Sequence, residues 1–303
     1  MFVETVPLGQ LTDRGLLREL ASSVDGLVVA VRPDSGAWRP AADAVRAAGL
    51  HFCAWPMLSD AAGRWCAAHN APAFAAWGRE IASALQPGDG FLFDLEPTFA
   101  LLDAAAHGRW RGALAAWWGA RSTADATPLA ALVAQLLERE ISVQTAEFPW
   151  PSPRWSRWAG VPELESLGAP PRGAFLCEPG EQPVARGVML YTSMLEGYAA
   201  PWIDRGRARL LLRRWGRRAL SRWGSATELQ LGAIGTGALQ HEPIYRAVHE
   251  LREDLDDALA LGASRVAVFE LGGMLRRGAA KTSAEWFETC ARARDLLRSR
   301  VAG

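Results

Sequence analysis

Two carboxylic acids two residues apart, Asp94 and Glu96, close the apolar run at residues 90–96, and Asp89 precedes it. Side chains alternate along an extended segment, so Leu92, Asp94 and Glu96 share one side while Phe91, Phe93 and Leu95 share the other. The aromatic and aliphatic side suits packing under helices, which leaves the two acids to point away from them. Carboxyl groups this close titrate together, because the first charge opposes the second. Cleaving a glycosidic bond needs such a pair: one acid must keep a proton for the departing oxygen, and a second group must support the oxocarbenium-like centre. Repulsion from Asp94 and partial burial would both raise the pKa of Glu96, making Glu96 the general acid and Asp94 its orienting neighbour. Acids at strand ends also cap helices or bind arginines such as Arg32, and that structural reading competes with the chemical one.

The scaffold that would hold these acids is legible in the alternation of elements. The chain has 303 residues, a length that α/β barrels use as one unit. Short apolar runs bounded by turn residues occur at 2–6, 26–31, 51–56, 90–96, 141–148, 187–193, 228–234 and 265–271. Helical spacing follows most of them, at 12–22, 41–48, 72–85, 128–140, 204–223, 243–261 and 284–301. Strand and helix alternating eight times predicts an α/β fold, a (β/α)8 TIM barrel formed by residues 1–303 as a single domain. A doubly wound sheet is the competing architecture, yet no G-x-G-x-x-G follows the first run. The Pro-, Trp- and Arg-rich stretch at 149–181 reads as a long irregular loop after the fifth strand. Barrel chemistry sits at the C-terminal strand ends, which adds Arg32, Trp55, Gln144, Tyr191, Gln230 and Glu270 as inward or rim positions. Glu270 or Glu147 could stand opposite Glu96 in a two-carboxylate mechanism, although loop glutamates are common.

The segment Asp89-Gly90-Phe91-Leu92-Phe93-Asp94-Leu95-Glu96 resembles the fourth-strand signature D-G-x-D-x-D-x-E of the family 18 glycoside hydrolases, the chitinase-like barrels. Asp89, Asp94 and Glu96 match three of its four acidic positions, and Leu92 replaces the middle aspartate. Met189-Leu190-Tyr191-Thr192 is a weaker echo of that family's sixth-strand M-x-Y-D, and Phe269-Glu270 stands near the place of its eighth-strand tryptophan. The resemblance implies a TIM-barrel glycosidase in which Glu96, Asp94 and Tyr191 are catalytic, with Glu96 as acid and Tyr191 touching an N-acetylated sugar. Leu92 departs from the pattern and leaves a barrel that binds carbohydrate without cleaving it as an alternative. Trp55, Gln144, Glu147, Gln230, Glu270 and Arg32 are the expected substrate-binding residues.

Composition narrows the remaining classes. Thirty-three basic residues balance 33 acidic ones, which removes the simplest electrostatic argument for nucleic acid or an anionic membrane as the main partner. Lys281 is the only lysine, so a Schiff-base mechanism on a strand lysine is not expected. The arginine-rich run at 205–222 reads as a solvated helix face. Cys53, Cys66, Cys177 and Cys290 form no C-x-x-C pair, and the five histidines form no H-x-H or H-E-x-x-H. No metal or other cofactor is therefore expected. Absence of a basic start or a hydrophobic signal core points to the cytoplasm. Trp55, Trp150, Trp155 and Trp158 offer rings that could stack on sugars. A second enzyme reading takes the glycines after the seventh and eighth runs, around Gly235 and Gly272, as backbone donors for a phosphorylated metabolite.

Overall fold

The computed structural model describes residues 1–96, 104, 109, 111–112, 127–149, 184–237, 241–276 and 280–301. Eight strands follow one another in chain order within one sheet: β1 (Phe2–Val3), β2 (Gly26–Val31), β3 (His51–Pro56), β4 (Gly90–Leu95), β5 (Ser142–Glu147), β6 (Val184–Met189), β7 (Thr227–Gly232) and β8 (Arg265–Phe269). The helices among the described residues are α1 (Arg14–Ser23), α2 (Trp38–Ala47), α3 (Ala71–Ala84), α4 (Thr127–Glu138), α5 (Thr192–Tyr198), α6 (Arg205–Trp223), α7 (Val248–Ala260), α8 (Leu271–Arg276) and α9 (Ala280–Val301). Parallel strands in sequence order with helices between them are the (β/α)8 barrel, as the alternation of patterns predicts. No described helix is long and apolar enough to cross a membrane.

The chain groups into two compact units, residues 1–29, 37–53 and 187–303 in one and 30–36 and 54–186 in the other. Three of the four exchange points fall inside β2, β3 and β6, and the fourth, at 36/37, lies just before α2.

In the unit containing 54–186, β4 pairs with β5 in parallel register, Leu92 beside Gln144, Asp94 beside Ala146 and Leu95 beside Glu147. The Phe91 and Phe93 side of β4 lies under helix α3: the Phe93 and Phe74 rings are 5.8 Å apart. Gly78 allows this approach, since a Cβ there would stand 2.5 Å from Leu132 of α4 and 3.1 Å from Phe91. The fully buried Phe74, Phe91 and Phe93 form the aromatic part of this core. Asp89 works at the strand's entry, its carboxylate accepting from the Gln86 amide at 2.7 Å and its carbonyl from the Ser142 amide at 2.8 Å.

In the other unit, β7 pairs with β8 in parallel register and the Phe2 ring meets Phe269 edge-on at 5.9 Å. The arginine-rich run at 205–222 is more than a solvated face. Arg205, Arg209 and Arg213, spaced by four, reach Asp254, Glu253 and Asp257 on α7, with separations of 2.8 to 3.3 Å. Spacing by four puts one stripe of a helix against its neighbour, so this part of the run is an interhelical ladder.

Candidate active site

At the end of β4, Asp94 is 1% exposed and lies on the sheet face opposite the Phe91 and Phe93 rings. The indole Nε1 of Trp55, at the end of β3, donates to Asp94 Oδ2 at 3.0 Å. Asp94 Oδ1 is buried without a hydrogen-bond partner among the described residues. Asp94 forms a side-chain hydrogen bond with Glu96, the half-buried residue just beyond the strand. Burial, the largest influence, pushes the Asp94 carboxyl up from 3.8 to about 7, against the opposing pull of its hydrogen bonds to Glu96 and Trp55. Two carboxyl groups in hydrogen-bond contact share at least one proton, and here burial keeps that proton on near neutral pH. Asp94 makes no ion pair among the described residues.

Trp55 is 4% exposed. Its indole N–H fixes one oxygen of Asp94. The sequence held a signal for this, because Trp55 sits one strand away at matching height. Cys66, which the sequence gave no reason to notice, is buried beside Asp94 and its amide donates to the Asp94 carbonyl at 3.0 Å. Burial and the neighbouring Asp94 charge push that thiol well above its usual range, so it is inert.

Gln144 is 6% exposed and shares the Asp94 side of the sheet through its register with Leu92. Glu147 pairs with Leu95 and so belongs to the opposite side, where it accepts from Thr145 Oγ1 at 2.8 Å. This places it poorly as the partner acid of Glu96. Arg32, half-buried after β2, has its amide on Ser35 Oγ at 2.8 Å. Residues 150–183, with Trp150, Trp155, Trp158, Cys177 and nearly all of the loop at 149–181, lie outside the described residues.

The other unit carries Tyr191, Gln230 and Glu270. Tyr191 is half-buried at the start of α5, its ring stacked on Phe269 at 5.5 Å and 24°. Thr192, next to it, donates to Asp254, which also accepts from Tyr245 at 2.6 Å and from Arg205 at 2.8 Å. This network joins residues about fifty positions apart, and nothing local in the sequence announces it. Gln230 is buried, with Nε2 on Glu228 Oε1 at 3.2 Å.

Glu270 is fully buried and well supplied with donors: Thr5 Oγ1 at 2.8 Å, the Gly273 amide at 2.9 Å, the Gly272 amide at 3.1 Å and Arg276 at 3.0 Å. It caps α8 and ties it to the residues after β1, so its place is structural. These bonds also answer the phosphate reading. The amides of Gly272 and Gly273 already face a carboxylate, and the Gly237 amide faces another, Glu242. Fixed negative charge at those turns opposes an anion. Gly235 and Gly273 serve close approach instead, because a Cβ on Gly273 would lie 2.4 Å from the Gly235 Cα.

No protein-family model matches the chain, and no curated protein does. Among solved structures it is similar to the PgaB (BpsB) glycoside hydrolase domain from Bordetella bronchiseptica, at 15% identity over 91% of each chain with a TM-score of 0.54. It is also similar to a GH5-4 broad specificity endoglucanase from Clostridium longisporum, at 9% identity over 94% of this chain and 86% of that one, TM-score 0.55. The glycoside hydrolase family 5 enzyme PbGH5A from Prevotella bryantii aligns at 11% identity over 93% and 86%, TM-score 0.52. All three are named glycoside hydrolases on the same barrel. At these identities the likeness is one of fold, and the chitinase-like family is not among them.

Proposed function

We propose that the chain is a glycoside hydrolase acting on a glycan or glycoconjugate, with Glu96 as general acid, Asp94 as its proton-sharing neighbour and Tyr191 as a contact to the sugar. The observation that carries this reading is Asp94: a carboxyl at a barrel strand's C-terminal end, buried, bonded to a second carboxyl and raised to about 7. A buried acid with so few donors is costly to keep for structure alone and suits acid chemistry near neutral pH. The fold similarity to named glycoside hydrolases supports the same class.

In this mechanism Glu96, the half-exposed member, hands its proton to the departing glycosidic oxygen as the bond from that oxygen to the anomeric carbon breaks. The carboxylate pair is left with one more negative charge beside a carbon that has become oxocarbenium-like, and the two charges stabilise each other. Water then adds hydroxide to the carbon and returns its proton to the pair. Asp94 passes its share of the proton through the hydrogen bond to Glu96, and the Trp55 indole holds the Asp94 carboxyl in place at Oδ2. The resemblance of the β4 motif suggests an N-acetylated sugar whose acetamido oxygen assists at the carbon, with Tyr191 touching it.

A panel of chromogenic glycosides, including N-acetylated ones, tests the reading against Glu96→Gln. Turnover should fall by ~10² or more with the fold kept, since acid catalysis commonly contributes 10² to 10⁴. Full activity in that variant would overturn it.

A further inference from the structure

Zero net charge over the chain conceals one strongly one-signed element. Helix α6 carries eight arginines and no acid in its 19 residues, although 33 basic and 33 acidic residues balance over the whole chain. Arg205, Arg209 and Arg213 are engaged with α7. The other five, Arg207, Arg214, Arg217, Arg218 and Arg222, are exposed. At about 100° per residue, these five and Leu210 fall within about 140° of the helix circumference. Ala208, Leu212, Gly216 and Ala219 lie on another side of the helix and are buried.

Arg214, Arg217 and Arg218 have no acidic partner among the described residues. Arg207 donates to the Trp202 carbonyl at 2.6 Å and Arg222 lies 5.3 Å over the Trp223 ring, contacts that leave both charges in place. Like charges at spacings of three and four repel along a helix, so the stripe works against the helix that bears it. Two apolar side chains accompany it. Leu210 is 57% exposed within the stripe, and Trp202, just before the helix and held to it by Arg207, is 78% exposed.

These two residues choose among anionic partners. Guanidinium groups fit the phosphates of any polyanion, but a nucleic acid or an acidic polymer has no use for an exposed leucine. At a lipid surface both kinds of side chain are satisfied, the arginines by headgroup phosphates and the tryptophan and leucine by the boundary between headgroups and acyl chains. We propose that the exposed face of α6, with Trp202, docks on an anionic membrane surface. The helix's own apolar side is already buried in the protein, so the contact is attachment to the surface and not insertion. This inference stands independently of the glycosidase reading.

The test is co-sedimentation of the intact chain with vesicles of phosphatidylcholine alone and of phosphatidylcholine with roughly one-third phosphatidylglycerol, a composition with a strongly negative surface. Binding to the anionic vesicles only is expected, and it should be lost as salt is raised to about 0.5 M. Joint substitution Arg214→Gln, Arg217→Gln and Arg218→Gln should weaken it at least about tenfold. Trp202→Ala with Leu210→Ser should weaken it several-fold at unchanged charge. Equal binding to neutral vesicles, indifference to salt, or an unweakened triple variant that melts like the parent chain would overturn the proposal. Binding to duplex DNA or heparin without binding to vesicles would overturn it too, assigning the stripe to a soluble polyanion. Should the triple variant fail to fold, the salt and lipid dependence of the parent chain decides alone.

Discussion

Asp94 and Glu270 are both carboxylic acids buried at the C-terminal ends of barrel strands, and their surroundings differ in one respect, the supply of donors. Glu270 receives a hydroxyl, two backbone amides and a guanidinium, so its charge is repaid on the spot. Asp94 receives one indole N–H, keeps one oxygen without a partner among the described residues and shares a hydrogen bond with another acid. A buried carboxylate is cheap in the first setting and costly in the second. The contrast separates an acid that holds a fold together from one kept ready to exchange a proton, though both stand at positions that a barrel reserves for chemistry.

The contrast is broken most sharply by single substitutions at the two ends. Glu96→Gln should cost ~10² or more in turnover while leaving thermal unfolding nearly unchanged. Glu270→Ala should do the reverse. Leaving the Gly272 and Gly273 amides and the Thr5 hydroxyl without their acceptor should cost about 2 to 4 kcal/mol in urea unfolding, with activity per folded molecule kept. Discovery that Glu270→Ala is as stable as the parent would show that its donors find water instead.

Asp94→Asn sharpens the comparison through pH. Because the folded carboxyl titrates at about 7 and the unfolded one near 3.8, the native state holds the proton more tightly between these values. The contribution is present in full below about 4 and declines as pH rises through about 7. Asp94→Asn removes that decline. The variant should gain stability relative to the parent on moving from about pH 5 to pH 8, by on the order of 1 to 4 kcal/mol, and lose activity. A constant difference across that range would contradict the shift. The smallest effect is expected from Trp55→Phe, which keeps an aromatic ring and removes the indole donor. Since that bond pulls the Asp94 pKa down, its loss should raise the acid-to-base midpoint of the activity profile by about half a unit to one unit.

Much of the scaffold was legible because strand and helix periods alternate cleanly. The runs at 26–31 and 51–56 coincide with β2 and β3, and 90–96 overruns β4 by one residue. The sixth run, 187–193, missed the start of β6 at Val184 and ran into α5, since Arg186 and Gly187 look like breakers outside a sheet. α8 takes up the glycines after the eighth run, whose pattern suggests backbone donors for an anion and does not announce a helix. Its capping acid, Glu270, acts through Thr5, 265 residues away in sequence, a partner no local pattern announces. Side-chain alternation did put Asp94 and Glu96 on one side, but not which donors each would receive. Trp55 and Glu147 show why: one indole turned inward to bond an acid, and one glutamate fell on the other face by register.

Asp94 keeps a proton near neutral pH because it is buried beside Glu96 with too few donors. A difference titration tests it without any substrate: the infrared carboxyl band of the parent chain, minus that of Asp94→Asn, followed from about pH 3 to pH 9. A protonated-carboxyl signal should disappear with a midpoint at about 7. A midpoint near the ordinary value of 3.8 would contradict it, and Asp94 would then be one more acid at the end of a strand.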